Sequence, residues 1–244
     1  MPLDCRPEEL LIATIARLLR GCRNIAVGVS SPIPGSAALL ARAESEEPLR
    51  VELLESLEGN SFTRGSVELF DRAAQGRIDA FFLGGGQIDG QANINLVGTG
   101  DYPRTAVRWP GSFGSAYLYF LVPRVILFRE EHSRRVLVPK VDFVSAPGVS
   151  APEVYRRGGP CALITGKALF RFDRDRRRFR LESLHPGHDL ADVLETTGFD
   201  FDHDAAPAAT AGPDAATLEM IRGPVAREIA KAYPKFAARV FPRA

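Results

Sequence analysis

Apolar residues recur at helical spacing over residues 7–20 (PEELLIATIARLLR), where Leu10, Leu11, Ala13, Ile15, Leu18 and Leu19 fall roughly on one face. Pro7, Glu8 and Glu9 suit the start of that helix, and Gly21 suits its end. The pattern then alternates. Residues 24–29 read as a short buried strand, 30–36 as a turn and 36–44 as a second helix. Residues 49–54 read as a strand ending at Glu55-Ser56, 57–65 as a loop, 66–75 as a helix and 78–83 as the next strand. This β-α-β-α-β rhythm predicts a mostly parallel sheet with helices on both faces.

Further short strands are expected at 93–97, 107–109, 125–128, 136–138 and 141–144, with loops at 99–103 and 109–115. Residues 117–121 suit either a helical turn or a strand. Residues 162–172 and 178–184 read as two strands joined at 173–176, with Phe170, Phe172, Phe179 and Leu181 alternating with Arg171, Arg178 and Arg180. Residues 205–215 are a low-complexity linker, and 214–244 an amphipathic helix broken by Pro224 and Pro234. The expected organisation is one domain over 1–204, then a linker and helical tail over 205–244 that packs on the domain or on a partner.

Composition narrows the class. The chain has 244 residues, 45% hydrophobic and 25% charged, close to the soluble globular average. No apolar run approaches the roughly 20 residues that span a bilayer, so no membrane association is expected. Asp4, Glu8 and Glu9 stand where an export signal would be basic and apolar. The cysteines, Cys5, Cys22 and Cys161, are odd in number and far apart, which points to a reducing cytoplasm. The net charge of +1 gives no reason to expect a nucleic-acid partner. The basic run 171–180 alternates with Phe and includes Asp173 and Asp175, so it reads as the exposed face of a hairpin.

The candidate chemistry starts at FFLGGGQIDGQANIN (81–95), where an apolar strand opens into three glycines. Glycines there let a ligand reach bare backbone, and successive N–H groups can cradle an oxyanion or phosphate. The alternative is a glycine-rich turn between two strands. Other motifs are weak or missing. His185 and His188 are separated by Pro186-Gly187, which breaks any helix, so no metal site is expected. There is no G-x-S-x-G motif and no Walker-type phosphate loop. Glu55 stands at the end of a buried strand, where a rigid element can hold a carboxylate nucleophile ionised but only partly hydrated. Its alternative is a surface acid, one of the crowd Glu52, Glu55 and Glu58.

FLGGGQIDGQANIN, GDYPRTAVRWPGSFGSA (100–116), VPKVDFVSAPG (138–148) and SLHPGHDLADVLETTGFDF (183–201) occur in that order. Together they resemble the β subunit of family I CoA-transferases of the glutaconate type, and are similar to the β subunit of steroid-ring-opening CoA hydrolases. The resemblance covers about residues 7–201. It implies a three-layer α/β/α fold shared with sugar-phosphate isomerases, here with a C-terminal β-hairpin and helical tail. It implies an α subunit as partner, in a heterodimer or heterotetramer with the active site at the subunit contact. Coenzyme A would be a substrate, with no permanently bound cofactor.

In such transferases a β-subunit glutamate attacks the acyl-CoA thioester and passes through a mixed anhydride to a glutamyl-CoA thioester. The matching residue is Glu55, in Leu54-Glu55-Ser56-Leu57 where the family has Tyr-Glu-Ser-Gly. Gly84-Gly85-Gly86-Gln87 matches a Gly-Gly-Ala-Gln loop implied to supply oxyanion and CoA contacts. Gly111, Ser112 and Gly114 match a Pro-Gly-Ser-Gly-Gly-Ala loop in which Phe113 replaces a glycine. Asn93 and Asn95 match a Gly-Asn-Ile-Asn element, with Ala92 for its glycine, and are expected to tie down the loop. Phe62, Trp109, Phe113 and Tyr117 are either walls of a bulky acyl pocket or core and interface residues. The first expectation is a CoA-transferase β subunit. The alternatives are a CoA-thioester hydrolase or ring-opening subunit whose acid lies on the partner, and a non-catalytic β-like subunit.

Overall fold

The computed structural model describes residues 5–241. In chain order the first elements are α1 (Pro7–Leu18), β1 (Asn24–Val27), α2 (Pro32–Ala43), β2 (Arg50–Leu53), α3 (Ser66–Ala74) and β3 (Ala80–Leu83). Short pieces follow: β4 (Gln87–Ile88), β5 (Ile94–Asn95), β6 (Gly98–Thr99), β7 (Val107–Arg108) and α4 (Ser115–Leu121). Then come β8 (Arg124–Arg129), β9 (Pro160–Thr165), β10 (Ala168–Asp173), β11 (Arg178–Leu184), α5 (Leu190–Thr196) and β12 (Ala208–Ala209). The tail holds α6 (Ala215–Met220), α7 (Ala226–Ala232) and α8 (Pro234–Val240). Eight strands form one mixed, mostly parallel sheet in the order β12-β11-β10-β9-β8-β3-β1-β2, flanked by helices, as the β-α rhythm predicts. Among the described residues no helix is long and apolar enough to cross a membrane.

Packing divides the chain into two compact units. Among the described residues, the first holds those up to Arg72, Arg77–Phe82 and those from Ala211 onward. Here β1 runs parallel to both β2 and β3, pairing Ile25 with Val51 and with Ala80. Helix α2 packs on α1, β1, β2 and α7. At Gly35 a Cβ would stand 3.0 Å from Ile229 Cδ1, so α2 and α7 touch closely there. Helix α2 starts at Pro32, earlier than the helix expected from position 36. Prolines fit a first helical turn because its N–H groups have no intrahelical acceptor, and Pro32 and Pro34 both lie inside α2.

The tail is bound to the start of α1. Glu9 is 1% exposed, and Arg222 donates to both of its oxygens from Nε (2.6 Å) and Nη2 (2.7 Å). The Arg6 N–H adds a third bond at 2.9 Å, and its Nη1 reaches the Val240 carbonyl at 2.6 Å. Pro234 breaks the tail as expected, but Pro224 does not. Residues Ile221–Val225 form a π-helical turn that joins α6 to α7 without interruption. The wider turn accommodates the ring and the missing N–H.

The second unit spans Ala73–Gly76 and Leu83–Thr210. Strands β8 and β9 are parallel, while β9, β10 and β11 run antiparallel in succession. The apolar run 162–172, expected as one strand, is two: β9 ends at Thr165 and β10 begins at Ala168. The chain turns at Gly166, where a Cβ would lie 2.6 Å from the Glu130 carbonyl oxygen. Strand period 2 then holds, with Phe170, Phe172, Phe179 and Leu181 buried and Arg171 and Arg180 exposed. Phe170 meets Phe201 edge-on at 5.1 Å, and Phe172 meets Phe179 at 4.9 Å. The arginines pair with nearby acids: Arg176 and Arg178 with Asp202, Arg180 with Asp204, Arg171 with Glu182. Residues 136–138 and 141–144 are not strands. Leu137 makes a single bridge to Ile88, and 141–144 is irregular. Residues 117–121 are helical, within α4.

Candidate functional site

Glu55 lies in the first unit, just past the end of β2. The Leu54 N–H still donates to the Val27 carbonyl at 3.0 Å, so the parallel strand pair holds the chain to within one residue of the acid. Beyond β1, Ser30 takes a left-handed backbone with φ 55°. That turn points its N–H at Glu55 Oε2, 3.0 Å away. Among the described residues nothing bonds the other carboxylate oxygen, and the residue is exposed. One oxygen is fixed by an amide, and the other makes no bond to a described residue.

The three crowded acids thus differ in environment. Glu52 is 5% exposed and accepts from the Ser61 N–H (2.7 Å) and hydroxyl (2.6 Å), with Arg72 at 3.6 Å. Arg72 lies over the Phe62 ring at 4.9 Å, so buried Phe62 belongs to the loop anchor. Glu58 is exposed and pairs with Lys231 at 2.7 Å. Ser56 is buried, and its hydroxyl accepts from the Gly59 N–H at 2.8 Å, closing the turn after Glu55. Leu57 stands fully exposed beyond it.

The glycine loops lie in the second unit. Gly85 is packed under Ile94, whose Cγ2 would stand 2.7 Å from an added Cβ. Gly86 is covered by the Trp109 ring, which would stand 2.2 Å from one. These two glycines are therefore required by the chain's own packing. The Gly86 N–H already donates to the Asn95 carbonyl at 2.9 Å. The Gln87 side-chain oxygen accepts from Asn95 Nδ2 (2.7 Å) and from the Asp142 N–H (3.0 Å). Asn95 Oδ1 takes the Val97 N–H, and Asn93 joins Asp89 (3.1 Å) to the Gly148 N–H (3.1 Å). Asn93 and Asn95 brace the loop.

The 111–114 loop runs into α4. Gly111 has φ 108°, and Gly114 has φ 68° at the helix N-cap. Phe113 between them takes φ 24°, a conformation that glycine adopts freely and a phenylalanine adopts only with strain. Phe113 is 79% exposed, and Tyr117 is 46% exposed. Ala92, the other non-glycine at a family glycine position, is also left-handed, at φ 59°. The Ser112 carbonyl accepts the Ser115 N–H at 2.8 Å. Ser115 Oγ is buried without a hydrogen-bond partner among the described residues, a polar atom that a ligand or water would satisfy.

Two residues escaped the sequence reading. Tyr233, at the junction of α7 and α8, accepts the Ser31 N–H at 3.2 Å beside the Glu55 turn. Burial raises its phenol pKa; the Ser31 bond works against this, and the Glu55 charge adds to it. His132, with neither a motif nor a partner at fixed spacing to flag it, is buried between Thr165 (2.8 Å) and Thr197 (2.9 Å). His185 is also occupied internally. Its Nε2 reaches the Thr165 carbonyl at 3.0 Å and its Nδ1 the Thr210 hydroxyl at 2.8 Å, so Nε2 carries the proton. His188 instead pairs with Asp192 at 2.8 Å. No group of three or more His, Cys, Asp or Glu among the described residues is placed to hold a metal ion.

Residues 7–196 match the family described as Coenzyme A transferase. The chain is 34% identical over 148 residues to the B subunit of glutaconate CoA-transferase from Acidaminococcus fermentans, covering 58% of this chain and 54% of that protein. That alignment therefore spans only about half the length of the relative. It is 29% identical over 248 residues to the B subunit of 3-oxoadipate CoA-transferase from Pseudomonas knackmussii, covering 91% and 94%. Among solved structures, the decarboxylase AibA/AibB superposes with a TM-score of 0.77 at 27% identity, covering 90% of this chain and 94% of that one.

Proposed function

Because the chain belongs to the coenzyme A transferase family, we propose that it is the β-type subunit of an enzyme that moves CoA between an acyl-CoA thioester and a carboxylic acid. Its partner is an α subunit, and coenzyme A enters as part of the substrate. The observation that carries this reading is Glu55: a carboxylate at a strand end, one oxygen held by the Ser30 amide and the other unbonded. Such a group is oriented for attack without being neutralised by a cation. The free oxygen adds to the thioester carbonyl and CoA thiolate leaves, forming a mixed anhydride. The thiolate then attacks the Glu55 carbonyl carbon, expels the substrate carboxylate and leaves a glutamyl-CoA thioester. The acceptor acid reverses both steps.

Gly84 and Gly85 supply the oxyanion contact. Gly86 contributes by its lack of a side chain, since its N–H is already donated to Asn95. Gln87 holds the loop in shape, and Gly111, Ser112 and Gly114 make the second CoA contact. The partnerless Ser115 hydroxyl behind them supports a ligand at that loop.

The test is exchange by the co-expressed α/β pair, using glutaconate, 3-oxoadipate and short-chain acids against acetyl-CoA. Glu55→Gln is expected to abolish exchange while pairing persists, and borohydride added during turnover should reduce Glu55 to an alcohol. Unchanged exchange in Glu55→Gln would sink the role.

A second reading has this chain supply the site wall for hydrolysis, ring opening or decarboxylation driven by the partner's residues. The strained, exposed Phe113 favours it, because it alters a loop that transfer chemistry would keep open. A fully active Glu55→Ala variant on CoA-thioester substrates supports that reading.

A further inference from the structure

The C-terminal helices bring a phenol to the Glu55 turn that neither the strand pattern nor the glycine loops called for. Consecutive backbone amides serve the two groups: the Ser30 N–H goes to Glu55 Oε2 at 3.0 Å, and the Ser31 N–H goes to Tyr233 Oη at 3.2 Å. The Tyr233 ring also packs near α2, with Cε2 3.9 Å from where a Cβ on Gly35 would stand. Its oxygen is used as an acceptor, so its own hydrogen remains to be given. Among the described residues nothing accepts it. A half-buried phenol normally finds an acceptor for that hydrogen.

We propose that Tyr233 is a further catalytic residue of the Glu55 site, donating a hydrogen bond to Glu55 Oε2 when that oxygen becomes negative. The proposal rests on Glu55 being the nucleophile. In the second step the CoA sulfur bonds to Glu55 Cδ, and the carbonyl π pair moves onto Oε2. The pair returns as the Cδ–Oε1 bond breaks, and the substrate carboxylate leaves carrying Oε1. Tyr233 keeps its proton throughout. Oε2 then carries two donors, the Ser30 N–H and the Tyr233 O–H, as an oxyanion site requires. The resting structure has only the first bond formed. Catalytic hydrogen bonds often close only as the reacting carbon becomes tetrahedral. The raised phenol pKa keeps Tyr233 protonated as a donor.

The test is Tyr233→Phe in the α/β pair, beside Glu55→Gln, on the acid and acyl-CoA of the panel that exchange fastest. Tyr233→Phe should lower kcat by about 10²-fold, with KM for the acyl-CoA within about twofold and the melting temperature unchanged. Glutamyl-CoA trapped by borohydride in a single turnover should appear correspondingly more slowly. A Tyr233→Phe enzyme with parental kcat beside an inactive Glu55→Gln overturns the Tyr233 role alone. A fall in kcat matched by lost melting temperature or lost pairing assigns Tyr233 to structure and also overturns it. Active Glu55→Gln removes the Glu55 reading and the Tyr233 role together.

Discussion

The Ser30 N–H donates to Glu55 Oε2 at 3.0 Å from a left-handed backbone at φ 55°. The strained residue and the proposed nucleophile sit on turns after adjacent parallel strands, and the bond joins them across the strand ends. Shortening the acid by one methylene withdraws the carboxylate from that amide. Glu55→Asp is expected to keep the melting temperature, because the side chain is exposed, and to lose on the order of 10²-fold or more in exchange kcat. Steady-state kinetics beside a thermal melt checks this.

Glu9 makes three bonds with almost no exposure, two of them to one guanidinium from the tail. Removing one charge leaves the other partner mismatched inside the contact. Glu9→Gln should therefore destabilise the protein by about 2–4 kcal/mol, with the double variant Glu9→Gln/Arg222→Gln costing clearly less than the sum of the two single changes. Urea unfolding of the four proteins gives the coupling.

His132 and His185 are held neutral in the fold, each with pKa lowered from 6.5 to about 4, chiefly by burial. The unfolded chain takes up protons below pH 6.5, and the folded chain does not until about 4. Stability is complete above pH 6.5 and falls as the pH drops towards 4, by up to about 3 kcal/mol for each histidine. Unfolding free energies measured between pH 7.5 and 4.5 should follow that slope. His132→Gln should remove roughly half of it, leaving the His185 contribution.

Trp109 is the chain's one tryptophan, and it lies against Gly86. Gly86→Ala forces the indole off the loop, so its fluorescence should shift to longer wavelength, with stability falling by about 2 kcal/mol. An unshifted spectrum at full stability contradicts the packing.

Phe113→Gly should raise stability by about 1 kcal/mol by relieving the φ 24° backbone, despite the entropy that glycine adds to the unfolded chain. Ala92→Gly should do the same more weakly. Thermal melts of the two variants decide this.

The fold was legible where period and punctuation agreed. Glycine and acid signals marked the first helix, and the Phe/Arg alternation marked β10 and β11. It was illegible where one residue type carried two meanings. Gly166 reads as a residue within a continuous apolar run, yet the chain reverses there because the Glu130 carbonyl leaves no room for a Cβ. Pro32 and Pro34 read as turn formers, and they open a helix. In the candidate site, Glu55 was marked by its place at a strand end together with the family resemblance, while Glu52, three residues away, looked the same by pattern and is buried. Tyr233 was invisible because its partner, Ser31, is about two hundred residues distant in the chain. Only a folded tail brings the two together.

The π-helical turn at Ile221–Val225 bears on where Tyr233 is placed. An extra residue in a helical turn advances everything after it by about 100° around the axis. The turn therefore sets the phase of α7, and with it the side on which the helix delivers Tyr233. Deleting a single residue such as Gly223 would carry the phenol around the helix and away from Ser31. The direction in which the tail presents Tyr233 is kept by a proline-bearing helical turn more than two turns upstream.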